Sequence, residues 1–114
     1  MITVMLYGET DSSGKTRNPV DRCEDFDKGA FESSVKAIAQ DQATVARVAG
    51  WGEHGHVMLA PMVAGGYEAE FIGCRGPVGL WIDLREPAGD SSVPARIQEL
   101  MVQLATTVHE RLVA

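Results

Sequence analysis

The sequence has few cysteines, few basic residues and no long apolar run, and each shortage excludes a class of protein. Its two cysteines, Cys23 and Cys74, form no CxxC-type spacing, which excludes the common zinc-ribbon and dithiol motifs. Ten basic residues against sixteen acidic ones give a net charge of −6, which argues against charge-driven recognition of nucleic acid. No apolar run approaches the ~20 residues that a membrane-spanning helix needs. We therefore predict neither a nucleic-acid partner nor a membrane segment.

The remaining composition is that of an ordinary small globular protein. The 114 residues, 45% of them hydrophobic, predict one domain over 1–114 with a core of its own. Met1–Tyr7 has the pattern of a strand and not of a signal peptide, so we expect a cytoplasmic protein. Cys23 and Cys74 could form one disulfide or remain two free thiols. The excess of arginine over lysine, with abundant alanine, glycine and valine, indicates a bacterial or phage origin.

Period-two apolar runs separated by turn residues predict an antiparallel sheet. In Tyr67–Cys74, the apolar residues Tyr67, Ala69 and Phe71 alternate with Glu68 and Glu70, which predicts one core face and one solvated face. The glycines of Gly52–Gly55 predict a hairpin turn between the second and third strands. The predicted strands are Ile2–Tyr7, Thr44–Trp51, His56–Val63, Tyr67–Cys74 and Gly79–Arg85.

The final segment, Pro94–Val113, changes to a helical period and is predicted to cover the sheet. Ser91 or Ser92 could cap this helix. Its predicted apolar face consists of Ile97, Leu100, Met101, Leu104, Val108 and Leu112.

A second helix is predicted over Asp27–Gln42, with Asp27 as its N-cap, although alternation in the same segment also fits a strand. Glu9–Asp27 is a polar segment that is long for a loop in a compact domain, so we expect it to be mobile, functional or partly structured. The fold class is therefore α+β: a mainly antiparallel sheet of about five strands, packed by the C-terminal amphipathic helix and by one further helix.

A glycine-rich segment after the first strand resembles a phosphate-binding loop but departs from its pattern. Gly8 and Gly14 are one residue too far apart for GxxxxGK[ST], although Lys15 and Thr16 follow. A helix should begin at Lys15, yet Pro19 disfavours helical backbone at Asn18. We interpret this segment as a solvated loop.

Two histidines near a hairpin tip are the candidate metal ligands. His54 and His56 share a face if they lie on one strand, and Glu53 adds a carboxylate, so these three could bind zinc. His109 could supply a further ligand. An HxH pattern is also common in solvent-exposed turns, so we predict no cofactor, with zinc as the alternative.

The apolar strand His56–Ala64 is the candidate interaction surface. It is apolar on both faces, which fits either a central strand or an exposed patch that binds a partner. Pro61 favours an edge position. Tryptophan and methionine are enriched in interface cores. The predicted partner-binding residues are His56, Met58, Met62, Trp81 and Trp51.

These observations predict a small acidic interaction module without catalytic activity. The partner would be another protein or a second copy of the chain, with a homo-oligomer expected, and the class would be an accessory, inhibitor or immunity-type protein. The alternative is a small metal-binding protein or enzyme centred on Glu53, His54 and His56. A third possibility is a ligand pocket between sheet and helix.

Overall fold

The computed structural model describes residues 1–41, 43–63, 65–86 and 94–113, which form a five-stranded antiparallel sheet with one helix on each face. The strand order is β1-β5-β4-β3-β2, and every neighbouring pair is antiparallel. The predicted α+β class is confirmed. The elements are β1 (Ile2–Leu6), α1 (Pro19–Asp41), β2 (Thr44–Arg47), β3 (His56–Pro61), β4 (Tyr67–Arg75), β5 (Val78–Glu86) and α2 (Pro94–Val113).

The face that α2 covers contains the main hydrophobic core. Buried apolar side chains of β3, β4 and β5 contact Ile97, Met101 and Ala105 of α2. The predicted apolar face of α2 is correct at Ile97 and Met101, whereas Leu100 and Leu112 remain about half exposed. The predicted caps Ser91 and Ser92 lie outside the described residues.

The third strand is central, so Pro61 does not mark an edge strand as the sequence suggests. β3 pairs with β4 on one side and with β2 on the other. Pro61 is tolerated because it is the last residue of β3. The pairing of β3 with β2 ends at Leu59, so the N–H group that proline lacks would have no partner on β2.

The first helix begins at Pro19, eight residues before the predicted start at Asp27. The Asn18 side chain accepts a hydrogen bond from the Val20 N–H (2.9 Å), which makes Asn18 the N-cap and Pro19 the first helical residue. Asp27 is therefore not a cap. It lies inside the helix and is fully buried against the sheet.

The segment before α1 is a compact polar turn and does not have the geometry of a phosphate-binding loop. The Asp11 carboxylate accepts hydrogen bonds from the backbone N–H groups of Ser13 (2.9 Å) and Lys15 (3.1 Å). These are the kind of donors that such a loop would offer to a phosphate. Thr10 and Thr16 form a β-bridge, which closes the turn before the helix starts.

A disulfide joins α1 to the sheet. Cys23, in the second turn of α1, is bonded to Cys74 near the end of β4, across 51 residues of sequence. Both cysteines are buried. Of the two possibilities that the sequence leaves open, the structure has the disulfide.

Replacing both cysteines with alanine should lower the free energy of unfolding by about 4 kcal/mol, because the chain-entropy relation gives about that value for a closed loop of this length. Urea denaturation of Cys23→Ala/Cys74→Ala and of the oxidised wild type measures the difference. Two free thiols in the folded wild type, detected by mass after alkylation without reductant, would contradict the disulfide.

Candidate functional site

The residues predicted to bind a partner separate into buried and accessible groups. Trp51 and His56 are 0% exposed, so neither contributes to an exposed surface of this fold. Trp51 packs in the core against Phe71 (5.1 Å between ring centroids), on the α2 face. Met58 and Trp81 are half-buried on the α1 face, where both line one cleft. Met62 follows β3 and does not line that cleft. The partner-binding role of Met58 and Trp81 stays a prediction.

The cleft lies between α1 and the sheet and has a volume of about 280 Å³. It exists because α1 presents small side chains here, which leave space above the strands. Phe26 stands at one side of the cleft, with its ring centroid 6.4 Å from that of Trp81. The wall consists of Phe26, Ala30, Ser33, Ser34 and Ala37, and the floor consists of Met58, Glu70, Ile72 and Trp81.

The Glu70 carboxyl is the acidic group on the cleft floor. The sequence predicts a solvated face for Glu68 and Glu70, but α1 covers part of that face and leaves Glu70 half-buried. Burial raises the pKa of Glu70, and so does Asp83, which is its register partner on β5. The nearby Trp81 indole N–H opposes part of this rise in pKa, although its geometry falls short of a full hydrogen bond. No lysine or arginine among the described residues forms an ion pair with Glu70.

A second polar cluster lies beneath α1, against the start of β3. The His56 Nδ1–H donates to the His54 carbonyl oxygen (2.8 Å), so its Nε2 accepts from the Ser34 hydroxyl (3.2 Å). Burial lowers the pKa of His56 and favours this neutral ring. His56 is therefore a satisfied buried histidine that links helix to sheet.

Asp27 is the least satisfied member of this cluster. Its carboxyl group is fully buried and neither oxygen has a hydrogen-bond partner among the described residues. Burial, with a contribution from the negative charge of Glu24, raises the pKa of Asp27 to about 7. An unpartnered buried carboxyl is unusual in folded proteins, so this group is a candidate for function or for a pH response.

Ser34, His56 and Asp27 are the residue types of a hydrolase triad but do not meet its geometric requirements. Asp27 Oδ1 is 4.0 Å from His56 Nδ1, whose proton goes to the His54 carbonyl instead. Ser34 lies inside a helix, where backbone N–H groups bond to carbonyls one turn earlier and cannot form an oxyanion hole. The cluster therefore does not support acyl transfer.

The predicted metal ligands do not come together. Both ring nitrogens of His56 have partners within the protein, and Glu53 is exposed. His54 faces Glu24, with 3.6 Å between its Nδ1 and the nearer carboxylate oxygen. His109 lies on the other face of the sheet, against Trp51.

Within the described parts of the chain, one group of potential ligands lies close enough together to hold an ion: Glu24, Asp27 and Cys74. The Cys74 sulfur is committed to the disulfide, which leaves two carboxyl groups. Two ligands are fewer than the three or four protein ligands of typical zinc sites.

Sequence reasoning misses Asp27 and Glu70 as site residues for the same reason. Asp27 is buried on the sheet-facing side of α1, and Glu70 lies partly beneath that helix. The start and the sheet-facing side of α1 do not show in the apolar pattern. The usable signal is Asn18-Pro19, because an N-cap residue followed by proline is typical of a helix start. Asn18-Pro19 also fits a turn, and under that interpretation the first two turns of α1 are not predicted.

Comparison with protein-family models, with curated proteins and with solved structures found no match to this chain. Over the described residues, neither helix is both long and apolar enough to cross a membrane.

Asp27→Asn should change how stability depends on pH. The folded pKa of Asp27 is raised to about 7 from an unfolded value near 4, so its protonated form stabilises the fold at low pH. That contribution is lost as the pH rises through about 7. Asparagine does not ionise, so it does not lose this contribution. The free energy of unfolding of the variant, relative to that of wild type, should therefore rise by about 2–4 kcal/mol between pH 4 and pH 8, with the lower value applying if solvent screens the charge.

Urea denaturation at several pH values measures this difference, and Asp21→Asn is the control because Asp21 is an exposed acid on the same helix. His56 contributes a slope of opposite sign, since its lowered pKa makes stability rise with pH up to about 6.5. Because Asp27 Oδ1 lies 4.0 Å from His56 Nδ1, the pKa of His56 is measured by NMR in both proteins and its contribution to the slope is subtracted. Parallel stability curves for Asp27→Asn and wild type would contradict the raised pKa of Asp27.

Proposed function

We propose that this chain is a non-enzymatic binding module whose cleft accepts an arginine side chain of a partner protein. The observation that carries the proposal is the Glu70 carboxyl, which is half-buried on the cleft floor without a cationic partner among the described residues. Burying a carboxylate is costly unless a positive group pairs with it. A bound cation would supply that pairing.

The aromatic residues of the cleft favour a guanidinium group over a compact ammonium. Phe26 and Trp81 lie at the cleft with their rings inclined by 49°. A planar guanidinium can stack on an aromatic ring and also bind a carboxylate through two N–H groups.

Cleft size and overall charge support the same class of ligand. A volume of about 280 Å³ lies below the range of drug-sized ligand sites, about 300–1,000 Å³, and suits a single side chain. The net charge of −6 would attract a basic partner and speed its association. An accessory, inhibitor or immunity-type protein of bacterial or phage origin would use such a module against a basic surface.

The disulfide leads us to propose an oxidising compartment as the location of this protein, whereas the sequence predicts the cytoplasm. Disulfides persist in oxidising compartments and are rare in the cytosol of most organisms. The Cys23–Cys74 bond therefore favours an oxidising environment for the working protein. The cytoplasmic location stays an untested prediction.

Titration with N-acetyl-arginine amide, followed by ¹H–¹⁵N NMR, should shift the Trp81 indole N–H and the Glu70 amide. The neutral isostere N-acetyl-citrulline amide is the matched ligand and should cause much smaller shifts. Glu70→Gln should weaken arginine binding at least tenfold, because a hydrogen bond to a charged group contributes about 1.5–3 kcal/mol. Affinity should also fall as the pH drops through the raised pKa of Glu70, since protonation removes the negative charge.

Glu99→Gln, which removes an exposed carboxylate from α2, is the control variant and should bind like wild type. Equal binding of arginine and citrulline amides would contradict the proposal. So would shifts that map to a surface other than the cleft.

A further inference from the structure

Strand β1 is an open edge of the sheet. Among the described residues, β5 pairs with one side of β1 and nothing pairs with the other. Within this part of the structure, no Cα atom of either helix lies within 8 Å of a Cα atom of β1. Natural proteins usually protect such an edge with charge, proline or a bulge. The sequence of β1, ITVML, contains no charged residue and no proline.

The hydrogen-bond pattern fixes which backbone groups point outward. Met1 and Asp83 exchange two backbone hydrogen bonds (2.6 and 2.8 Å), and the Tyr7 N–H donates to the Pro77 carbonyl (3.0 Å). Bonded residues alternate along an antiparallel pair, so the odd-numbered residues of this segment face β5. Ile2, Val4 and Leu6 therefore direct their N–H and C=O groups away from the sheet.

The side chains of the same three residues form an exposed apolar row. They lie on the α2 face because their register partners include the buried residues Ile82 and Leu80. Their exposed fractions are 46% for Ile2, 38% for Val4 and 78% for Leu6. Unpaired backbone groups and apolar side chains thus coincide on one edge.

We propose that a second copy of this chain pairs with β1, so that two five-stranded sheets join into one. An antiparallel pair centred on Val4 places Val4 opposite its own copy and Ile2 opposite Leu6 of the other copy. All the outward N–H and C=O groups of these residues are then satisfied, and the arrangement has the two-fold symmetry of an isologous dimer. The three apolar side chains of each copy become neighbours on one face.

The other edge of the sheet is less suited to this role. β2 has four residues and ends in Arg47, so a second copy would face a short strand with a charge at its end. A β1 pairing is itself short, and it buries less than the ~800 Å² per partner of a standard interface. We therefore expect a dissociation constant of about 1–100 μM.

Sedimentation equilibrium of the wild-type protein up to about 500 μM tests the proposal, since a dimer in this affinity range would predominate there. The expected result is a mass approaching twice 12.3 kDa. Val4→Lys places two like charges opposite each other and should leave a monomer. Val35→Lys makes the same change at an exposed valine of α1 and should leave the dimer intact.

Two further variants keep the test informative if Val4→Lys folds poorly. Val4→Pro removes an N–H that points away from β5, so the β1–β5 pairing should survive while the dimer is lost. Val4→Cys should form a disulfide-linked dimer under mild oxidation, whereas Val35→Cys should not. A wild-type protein that is monomeric at the highest concentration, or a Val4→Pro protein that still dimerises, would overturn the proposal. The dimer does not depend on the arginine cleft, so either proposal can fail alone.

Discussion

The Cys23–Cys74 disulfide is the covalent link between α1 and the sheet, and we infer that the position of α1 depends on it. Between Pro19 and Ala37 the buried side chains of α1 are Cys23, Asp27 and Ser34, none of which is a large apolar residue. By contrast, α2 buries Ile97 and Met101 in the main core. The aromatic residues of α1 that contact the sheet, Phe26 against Trp81 and Phe31 against His56, are only partly buried. The described part of α1 therefore gains less from burial than α2 does. The covalent bond at its second turn therefore supplies the missing constraint.

The small and polar face of α1 also creates the features that can bind a ligand. Alanines and serines above the strands leave the cleft open, with Glu70 on its floor. The same face buries Asp27, whose ionisation opposes folding above neutral pH. A helix anchored by large apolar residues would have neither feature. The weak packing of α1 and the candidate binding site thus have one physical origin.

The sequence predicts those parts of the fold in which burial follows apolar periodicity. Strands β4 and β5 alternate regularly, and Ile97 and Met101 mark the inner face of α2, so the predicted bounds of these elements are close to the observed ones. The start of α1 is not predictable in this way because its inner face carries polar residues, which resemble a solvated segment.

The candidate site is predictable only in part, because it depends on where α1 lies. Met58 and Trp81 are identified from the sequence as binding candidates, but their shared cleft forms only once α1 covers the sheet. The prediction that His56 and Trp51 lie on a surface is wrong, since both are fully buried. Sequence alone does not say which side of a strand a helix will cover.

Hydrogen exchange of the α1 amides, with and without reductant, tests most directly whether the disulfide holds this helix on the sheet. Reduction should increase exchange across residues 19–37 by a larger factor than in β3, β4 and α2, whose amides should lose only the protection that the lower global free energy of unfolding removes. Unchanged protection of α1 after complete reduction would contradict the account, since the helix would then be held by its noncovalent contacts alone.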